Sequence, residues 1–366
     1  MPSDFDALDH IHMAHALRLA ERGLNTTQPN PRVGCVIAHG EEVVGEGWHE
    51  RAGQPHAEVH ALREAGECAK DATAYVTLEP CAHHGRTPPC ADALVAAGVA
   101  RVVIAAEDPN PQVDGRGIER LREACITVES GLMREPARDL NIGFFHRLEH
   151  GRPFVRVKLA MSLDGRTALA DGTSKWITGE AARNDVQRWR ARSSAILTGS
   201  GTALADNPRL TVRLTDVPHI PPLRVVLDRS LRTPDGAHLL EGSAPTLFLH
   251  GSSVQPDLRF AGVDCVAVPE SGSGLDLEAV MTLLAGREVN EVHVEAGPTL
   301  CGALFAAGLV DELLLYVAPV LLGDLARPLL KLPALTDMSL RWGLEVLDRR
   351  AVGDDLRLRL RPSPRS

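Results

Sequence analysis

Short apolar runs alternate with helix-spaced segments along this chain, and the alternation begins afresh near the middle. In the first half the strand-like runs are Val33 to Ile37, Glu42 to Glu46, Ala74 to Leu78 and Ala100 to Ala106. A helix is expected from about Asp6 to Arg22, where Ile11, Ala14, Leu17 and Leu19 recur at helical spacing before Gly23. Two more are expected over Ala57 to Ala65 and over Ala91 to Ala97, the latter closing at Gly98. This order predicts a layered α/β domain with helices on the sheet faces. Around Leu140 to Pro153 the stretch GFFHRLEHGRP is polar, lacks strand alternation and ends in Gly151 and Pro153, so a domain boundary is expected there. Domains of 1–150 and 151–366 follow, in keeping with a length of 366 residues, too great for one ordinary domain. The second half has strand-like runs at Phe154 to Ala160, Ala195 to Thr198, Leu223 to Leu227, Thr246 to Leu249, Glu291 to Glu295 and Glu312 to Ala318. Thr215 to Pro222, with three prolines, reads as a surface loop.

Composition narrows the function classes. With 44% hydrophobic and 24% charged residues the chain is globular, neither disordered nor fibrous. A net charge of −9 argues against a broad surface for nucleic-acid phosphates, and 4% aromatics leave few rings for stacking bases. The first residues, MPSDFDALDHIHMAHALRLAERG, carry acids where a signal peptide needs basic residues. The most apolar long stretch, Ala303 to Gly323, contains Asp311, Glu312 and Pro319, so no membrane span is expected. Seven irregularly spaced cysteines do not form a disulfide framework and point to a reducing cytoplasm.

The sharpest local signal is His56-Ala57-Glu58, followed by Pro80-Cys81 and then Cys90. One imidazole and two thiolates suit a tetrahedral Zn²⁺ with its fourth position left for water, whose pKa the metal lowers to about 7. Glu58 begins the same helix and is free to shuttle a proton from that water to a leaving amine. This is the zinc deaminase pattern of H-x-E and then P-C. Its usual continuation is P-C-x-x-C, whereas here AHHGRTPP separates the cysteines and places His83, His84 and Arg86 beside the metal. A closed structural zinc would lack its fourth protein ligand and leave Glu58 without a role. Upstream, Asn30 in Asn30-Pro31-Arg32-Val33-Gly34 offers a donor and an acceptor, although the segment reads equally well as a turn. Asp108-Pro109-Asn110-Pro111 follows a strand C-terminus, where α/β sites tend to lie.

The run LEPCAHHGRTPPC, with PNPRVG before it and EDPNPQVDGRG after it, resembles the deaminase domain of the bifunctional riboflavin-biosynthesis deaminase–reductase family. The long cysteine spacing separates that family from cytidine and tRNA adenosine deaminases. The resemblance implies zinc on His56, Cys81 and Cys90 with Glu58 as the catalytic proton carrier. By position it also implies that Asn30, His83, Arg86, Asp108 and Asn110 contact the substrate.

In the second half two small-residue turns follow strands. Thr198-Gly-Ser-Gly-Thr202 could bring backbone N–H groups to a phosphate, but it is not a dinucleotide fingerprint, since Leu204 takes the place of the last glycine. Glu295-Ala-Gly-Pro-Thr-Leu-Cys301 opens a helical run to Ala307, whose N-terminus would favour a pyrophosphate. Either could be ordinary strand-to-helix punctuation. Arg183, Arg188, Arg190, Arg192, Arg209 and Arg213 are candidates for a phosphate, or simply for a solvated face. The strings VKLAMSLDGRTA, SKWITG, LTGSGTALADNPRLTVR and VEAGPTLCGALFAAGLVDELLLYVAP resemble the family's reductase domain.

That resemblance implies a cytidine-deaminase-like α/β/α layer domain followed by a dihydrofolate-reductase-like α/β domain. It places Ala160, Trp176, Thr202, Asp206, Gly297, Pro298, Thr299, Leu300, Cys301, Gly302 and Ala303 against NADPH, with Asp228 and Arg229 as further cofactor candidates. Ser174, Arg190, Leu210, Arg213 and Glu295 would meet the substrate. The implied chemistry is deamination of 2,5-diamino-6-ribosylamino-4(3H)-pyrimidinone 5′-phosphate and then reduction of its ribosyl group by NADPH, giving 5-amino-6-(5-phosphoribitylamino)uracil. The expected partners are this small molecule and further copies of the chain in a homo-oligomer, with neither nucleic acid nor membrane. The alternatives are a nucleoside or tRNA deaminase with an unrelated C-terminal domain, or a binding protein on a degenerate scaffold.

Overall fold

The computed structural model describes residues 5–82, 89–111, 113–272 and 274–363. It divides into two compact units, Met1–Gly151 and Arg152–Ser366.

Unit one opens with α1 (Ala7–Arg22), which Asp6 caps by accepting from the Asp9 N–H and which closes at Gly23. Then come β1 (Gly34–His39), β2 (Glu42–Trp48), α2 (Ala57–Ala65), β3 (Thr73–Leu78), α3 (Cys90–Ala97), β4 (Arg101–Ala106), α4 (Arg116–Glu123), β5 (Thr127–Ser130), α5 (Arg134–Leu140) and α6 (Ile142–His150). The sheet order is β2-β1-β3-β4-β5, with β1 antiparallel to both neighbours and β3, β4 and β5 parallel. Alternate residues feed two cores, which is why these strands read as unbroken apolar runs. Cys35, Ile37, Ala74, Val76, Val102 and Ile104 pack on Ala57, Ala61, Leu94 and Leu121 on one face. Val36, Tyr75, Val103 and Ala105 pack on Met13, Ala16, Leu17, Phe144 and Phe145 on the other.

The units part at Gly151, within the stretch where the boundary is expected, but that stretch is not merely polar. GFFHRLEH forms α6, with Phe144 and Phe145 buried, because its apolar residues follow a helical period rather than a strand's. On the opposite face α2 lies directly on β2. A Cβ at Gly45 would come 2.2 Å from the Ala61 carbonyl oxygen, and one at Gly47 would come 2.5 Å from that of Ala57. Only glycine permits this approach, and it fixes the start of α2 against the sheet.

Unit two contains β6 (Phe154–Ser162), β7 (Arg166–Ala168), α7 (Glu180–Arg192), β8 (Ala195–Gly199), α8 (Ser200–Asp206), β9 (Leu223–Leu227), β10 (Thr246–Gly251) and β11 (Asp264–Val268). It continues with β12 (Glu270–Ser271), β13 (Gly274–Leu275), α9 (Leu277–Gly286), β14 (Glu291–Val294), α10 (Pro298–Ala306), β15 (Glu312–Ala318), β16 (Arg327–Pro328), β17 (Leu344–Val352) and β18 (Asp355–Pro362). The main sheet runs β11-β10-β9-β8-β14-β6-β15-β18-β17; all pairs are parallel up to β15, and β18 and β17 are antiparallel. Small ribbons pair β7 with β16 and β12 with β13.

The β17–β18 hairpin closes the sheet edge with many charged side chains, and in β18 Leu356, Leu358 and Leu360 alternate with Arg357, Arg359 and Arg361, a strand period that the sequence analysis did not use. At the N-terminal rim of the parallel strands, Arg156 donates to Glu312 at 2.7 Å and to Glu291 at 3.0 Å, while Arg359 reaches Glu312 at 2.8 Å. Arg156, Glu291 and Glu312 are almost wholly buried, so each charge relies on the others. Among the described residues no helix is long and apolar enough to cross a membrane.

Candidate functional site

Three elements of unit one deliver the candidate metal-ligating side chains. His56 is the N-cap of α2, Cys81 follows the end of β3, and Cys90 begins α3. Their ligand atoms all lie within 4.8 Å of one another. His56 Nδ1 is 3.2 Å from Cys90 Sγ and 3.7 Å from Cys81 Sγ. Tetrahedral zinc bonds of ordinary length would put N and S about 3.6 Å apart and two sulfurs about 3.8 Å apart, so the triad fits the ion. The Cys81 thiol is held down to about 4 by the neighbouring Cys90 thiol, the Cys90 N–H and His56, which favours a thiolate ligand. Cys90 is pushed up by that adjacent sulfur and by burial.

Glu58, in the first turn of α2, is buried, and its Oε2 has no hydrogen-bond partner among the described residues. Burial pushes this carboxyl up, with the Cys81 charge adding to the effect and His56 opposing it. A buried carboxylate with an open oxygen beside a metal triad has the form of a proton carrier.

Sequence reading missed His49. Its Nδ1 meets the Pro55 carbonyl at 3.1 Å, leaving Nε2 to accept from the Asn30 amide at 3.2 Å. Its ring meets that of His56 edge-on at 5.3 Å, and burial keeps it neutral. Asn30 is thereby tied to the metal end of the sheet. Asp108 is buried, is pushed up to about 6 by burial, and feels the Cys81 charge, so it too belongs to this end. Asn110 follows in the same loop, its N–H on Asp108 Oδ1 at 2.9 Å. His83, His84 and Arg86 lie outside the described residues.

In unit two the parallel order creates a second candidate site. From β8 the chain turns through α8 toward β9, and from neighbouring β14 it turns through α10 toward β15 on the other side. A crevice opens between strands whose continuations part in this way. Both small-residue turns lie there: Glu295 N–H bonds the Leu197 carbonyl at 2.9 Å, and Thr198 Oγ1 donates to the Glu295 carbonyl at 2.7 Å. Thr198 to Thr202 is not a free loop, since α8 begins at Ser200.

Arg190 of α7 grips both oxygens of the Glu295 carboxylate, the Nη2 contact being 2.8 Å, and also donates to the Thr211 carbonyl. Burial works to raise the Glu295 carboxyl, but Arg190 holds it well below the usual range. Lys158 of β6, which lies in the string VKLAMSLDGRTA but was given no role there, has its amine pushed down by burial beside this pair.

The remaining expected contacts are uneven. Gly297 caps α10, Thr299 and Ala303 are exposed, and Leu300 is half-buried against Gly199. Cys301 and Gly302 are buried; Cys301 donates to the Ala296 carbonyl, and Gly302 lies against Lys331. Thr202 faces Gly297 across the crevice, and Asp206 is exposed at the end of α8. Trp176 is exposed with the Arg183 guanidinium over its ring, and Ser174 is half-buried. Ala160 packs with Trp189 and Tyr316, Leu210 is buried, and Arg213 is exposed. Arg209 pairs with Glu241 at the surface, and Arg192 turns to Glu291. Asp228 is fully buried and closes its own turn through the Thr233 N–H and hydroxyl, whereas Arg229 pairs with Glu270.

The model of the cytidine and deoxycytidylate deaminase zinc-binding region matches residues 7–106, and that of the RibD C-terminal domain matches residues 153–355. The Riboflavin biosynthesis protein RibD of Escherichia coli is 51% identical over 96% of this chain and 99% of its own. This chain belongs to the RibD family.

Among solved RibD structures, that of Acinetobacter baumannii has a TM-score of 0.92 at 46% identity, covering 98% of this chain and 99% of that one. A Thermotoga maritima protein described as a diaminohydroxyphosphoribosylaminopyrimidine deaminase/5-amino-6-(5-phosphoribosylamino)uracil reductase has a TM-score of 0.87 at 32% identity, covering 97% and 99%. Unit one thus has the cytidine-deaminase-like fold and unit two that of the RibD reductase domain, which is dihydrofolate-reductase-like. The RibD match across the second half removes the alternative of an unrelated C-terminal domain.

Proposed function

We propose that this chain carries out two successive steps on one pyrimidine ribosyl phosphate, deamination in residues 1–150 and reduction in residues 151–366. The observation that carries the reading is Glu58: a buried carboxylate with an open oxygen, held beside a His/Cys/Cys triad of zinc dimensions, in a chain of the RibD family. Zinc, when held by His56, Cys81 and Cys90, supplies an acidified water. Glu58 takes a proton as water adds to the ring carbon bearing the 2-amino group, then returns it to the departing nitrogen so that ammonia leaves. Asn30, held by His49, together with Asp108 and Asn110, orients the ring and ribose.

In the second step bound NADPH would supply hydride chemistry for ribose C1′ of the ring-opened, imine-like sugar. The Thr198–Thr202 and Gly297–Ala303 turns, at the strand ends, would hold the cofactor. Glu295, fixed as an anion by Arg190, and Ser174, Leu210 and Arg213 hold the substrate. A cytoplasmic setting accords with seven free cysteines, and a homo-oligomer belongs to the same reading.

The test is turnover of the diaminopyrimidine phosphate with and without NADPH, following ammonia and cofactor separately. Ammonia released in both conditions, with NADPH consumed only after deamination, is the expected result. No ammonia from zinc-loaded protein would overturn the reading.

A further inference from the structure

Glu79 sits between the two parts of the deaminating site. It follows β3 and precedes Pro80 and the ligand Cys81. It is 4% exposed, yet its carboxylate accepts four main-chain N–H groups. Gly117 at 2.9 Å and Ile118 at 3.3 Å bond Oε1; Gly115 at 3.2 Å and Asp108 at 3.3 Å bond Oε2. Three of these lie around the first turn of α4, whose N-cap, Gly115, has no side chain to offer. An anion there satisfies orphan donors and faces the favourable end of the helix dipole. The fourth donor opens the loop that carries Asp108 and Asn110.

The fit is close. A Cβ at Gly117 would fall 1.9 Å from the Pro80 carbonyl oxygen, so α4 is pressed onto the segment that leads to Cys81. The loop is also tied to itself: the Asn110 carbonyl accepts Val113 N–H at 2.7 Å and Asp114 N–H at 3.0 Å. Whatever fixes Asp108 N–H and Gly115 N–H therefore fixes Asn110 between them.

We propose that Glu79 is a positioning residue of the deamination step, its two carboxylate oxygens setting the Asp108–Asn110 loop in register with the Cys81 segment so that Asn110 meets the substrate beside the metal. The proposal rests on the reading of Asn110 as a substrate contact. Glu79→Gln keeps the shape but leaves one pair of N–H groups facing an amide NH₂.

In the zinc-loaded full-length chain this variant should keep its zinc and its NADPH-dependent reduction. Its KM for the diaminopyrimidine phosphate should rise roughly tenfold while kcat stays within about twofold. A double-mutant cycle supplies the readout that a merely structural role would not move. Asn110→Ala should cost far less in the Glu79→Gln background than alone, whereas Asn30→Ala, held from the other side by His49, should be additive. Additivity at Asn110, or loss of zinc together with kcat, overturns the proposal. If Asn110→Ala alone leaves KM unchanged, it is the substrate reading that falls, and this role falls with it.

Discussion

Glu58 and Glu312 are both buried carboxylates, and their surroundings send them in opposite directions. Glu58 has an open oxygen and no cation bonded to it, so burial raises its proton affinity. Glu58→Gln should lower the rate of ammonia release by roughly 10²–10⁴ while NADPH oxidation on the uracil substrate stays at the parent rate. An equal fall in both rates would place the carboxylate outside a separate deaminase site. At Glu312 burial also raises the carboxyl, but Arg156 and Arg359 prevail and bring it to about 2. A carboxyl depressed on folding contributes stability above its unfolded value and loses it as pH falls through the folded one. Unit two should therefore lose stability between about pH 4.5 and pH 2, on the order of 3 kcal/mol from this group. Urea unfolding against pH should show a shallower slope in Glu312→Gln. Sequence singled out His56, Glu58, Cys81 and Cys90 as candidates through motif spacing, whereas His49, Glu79 and Lys158 stand out only through contacts made by folding.

Elements were legible where period and length agreed. The limits of α2, β9 and β15 coincide with the apolar patterns, since each is bounded by a turn or a change of period. β5 and β11 were not, because short edge segments carry little periodic signal, whereas α4 and β18 went unread although Ile118 and Leu121 lie on one helix face and Leu356, Leu358 and Leu360 alternate with arginines. α6 was read only as a polar stretch at the domain boundary, although Phe144 and Phe145 anchor it. The close approach of α2 to β2 gives an element-scale prediction. Gly47→Ala places a methyl 2.5 Å from the Ala57 carbonyl oxygen, which should push the start of α2 off the sheet. The expected cost is about 1–3 kcal/mol by thermal unfolding, with weaker zinc retention on dialysis because His56 caps that helix. Unchanged zinc affinity would show that α2 does not set the triad.

Each unit encloses its own apolar cores and draws its candidate residues from within itself. Removing zinc with a chelator should abolish ammonia release yet leave NADPH oxidation on the uracil substrate unchanged, and re-addition should restore the first activity. A parallel loss of both would contradict separate sites. The division into two α/β halves was legible from the restart of the pattern. The strand order of unit two was not, because β14 enters between β8 and β6 from far along the chain.

That order has a lasting consequence. The buried arginine–glutamate lattice occupies one rim of the nine-stranded sheet, and the crevice occupies the other. Residues lining the crevice are thus free to drift toward new ligands without touching the ionic clamp, so endurance and specificity are placed under separate selection.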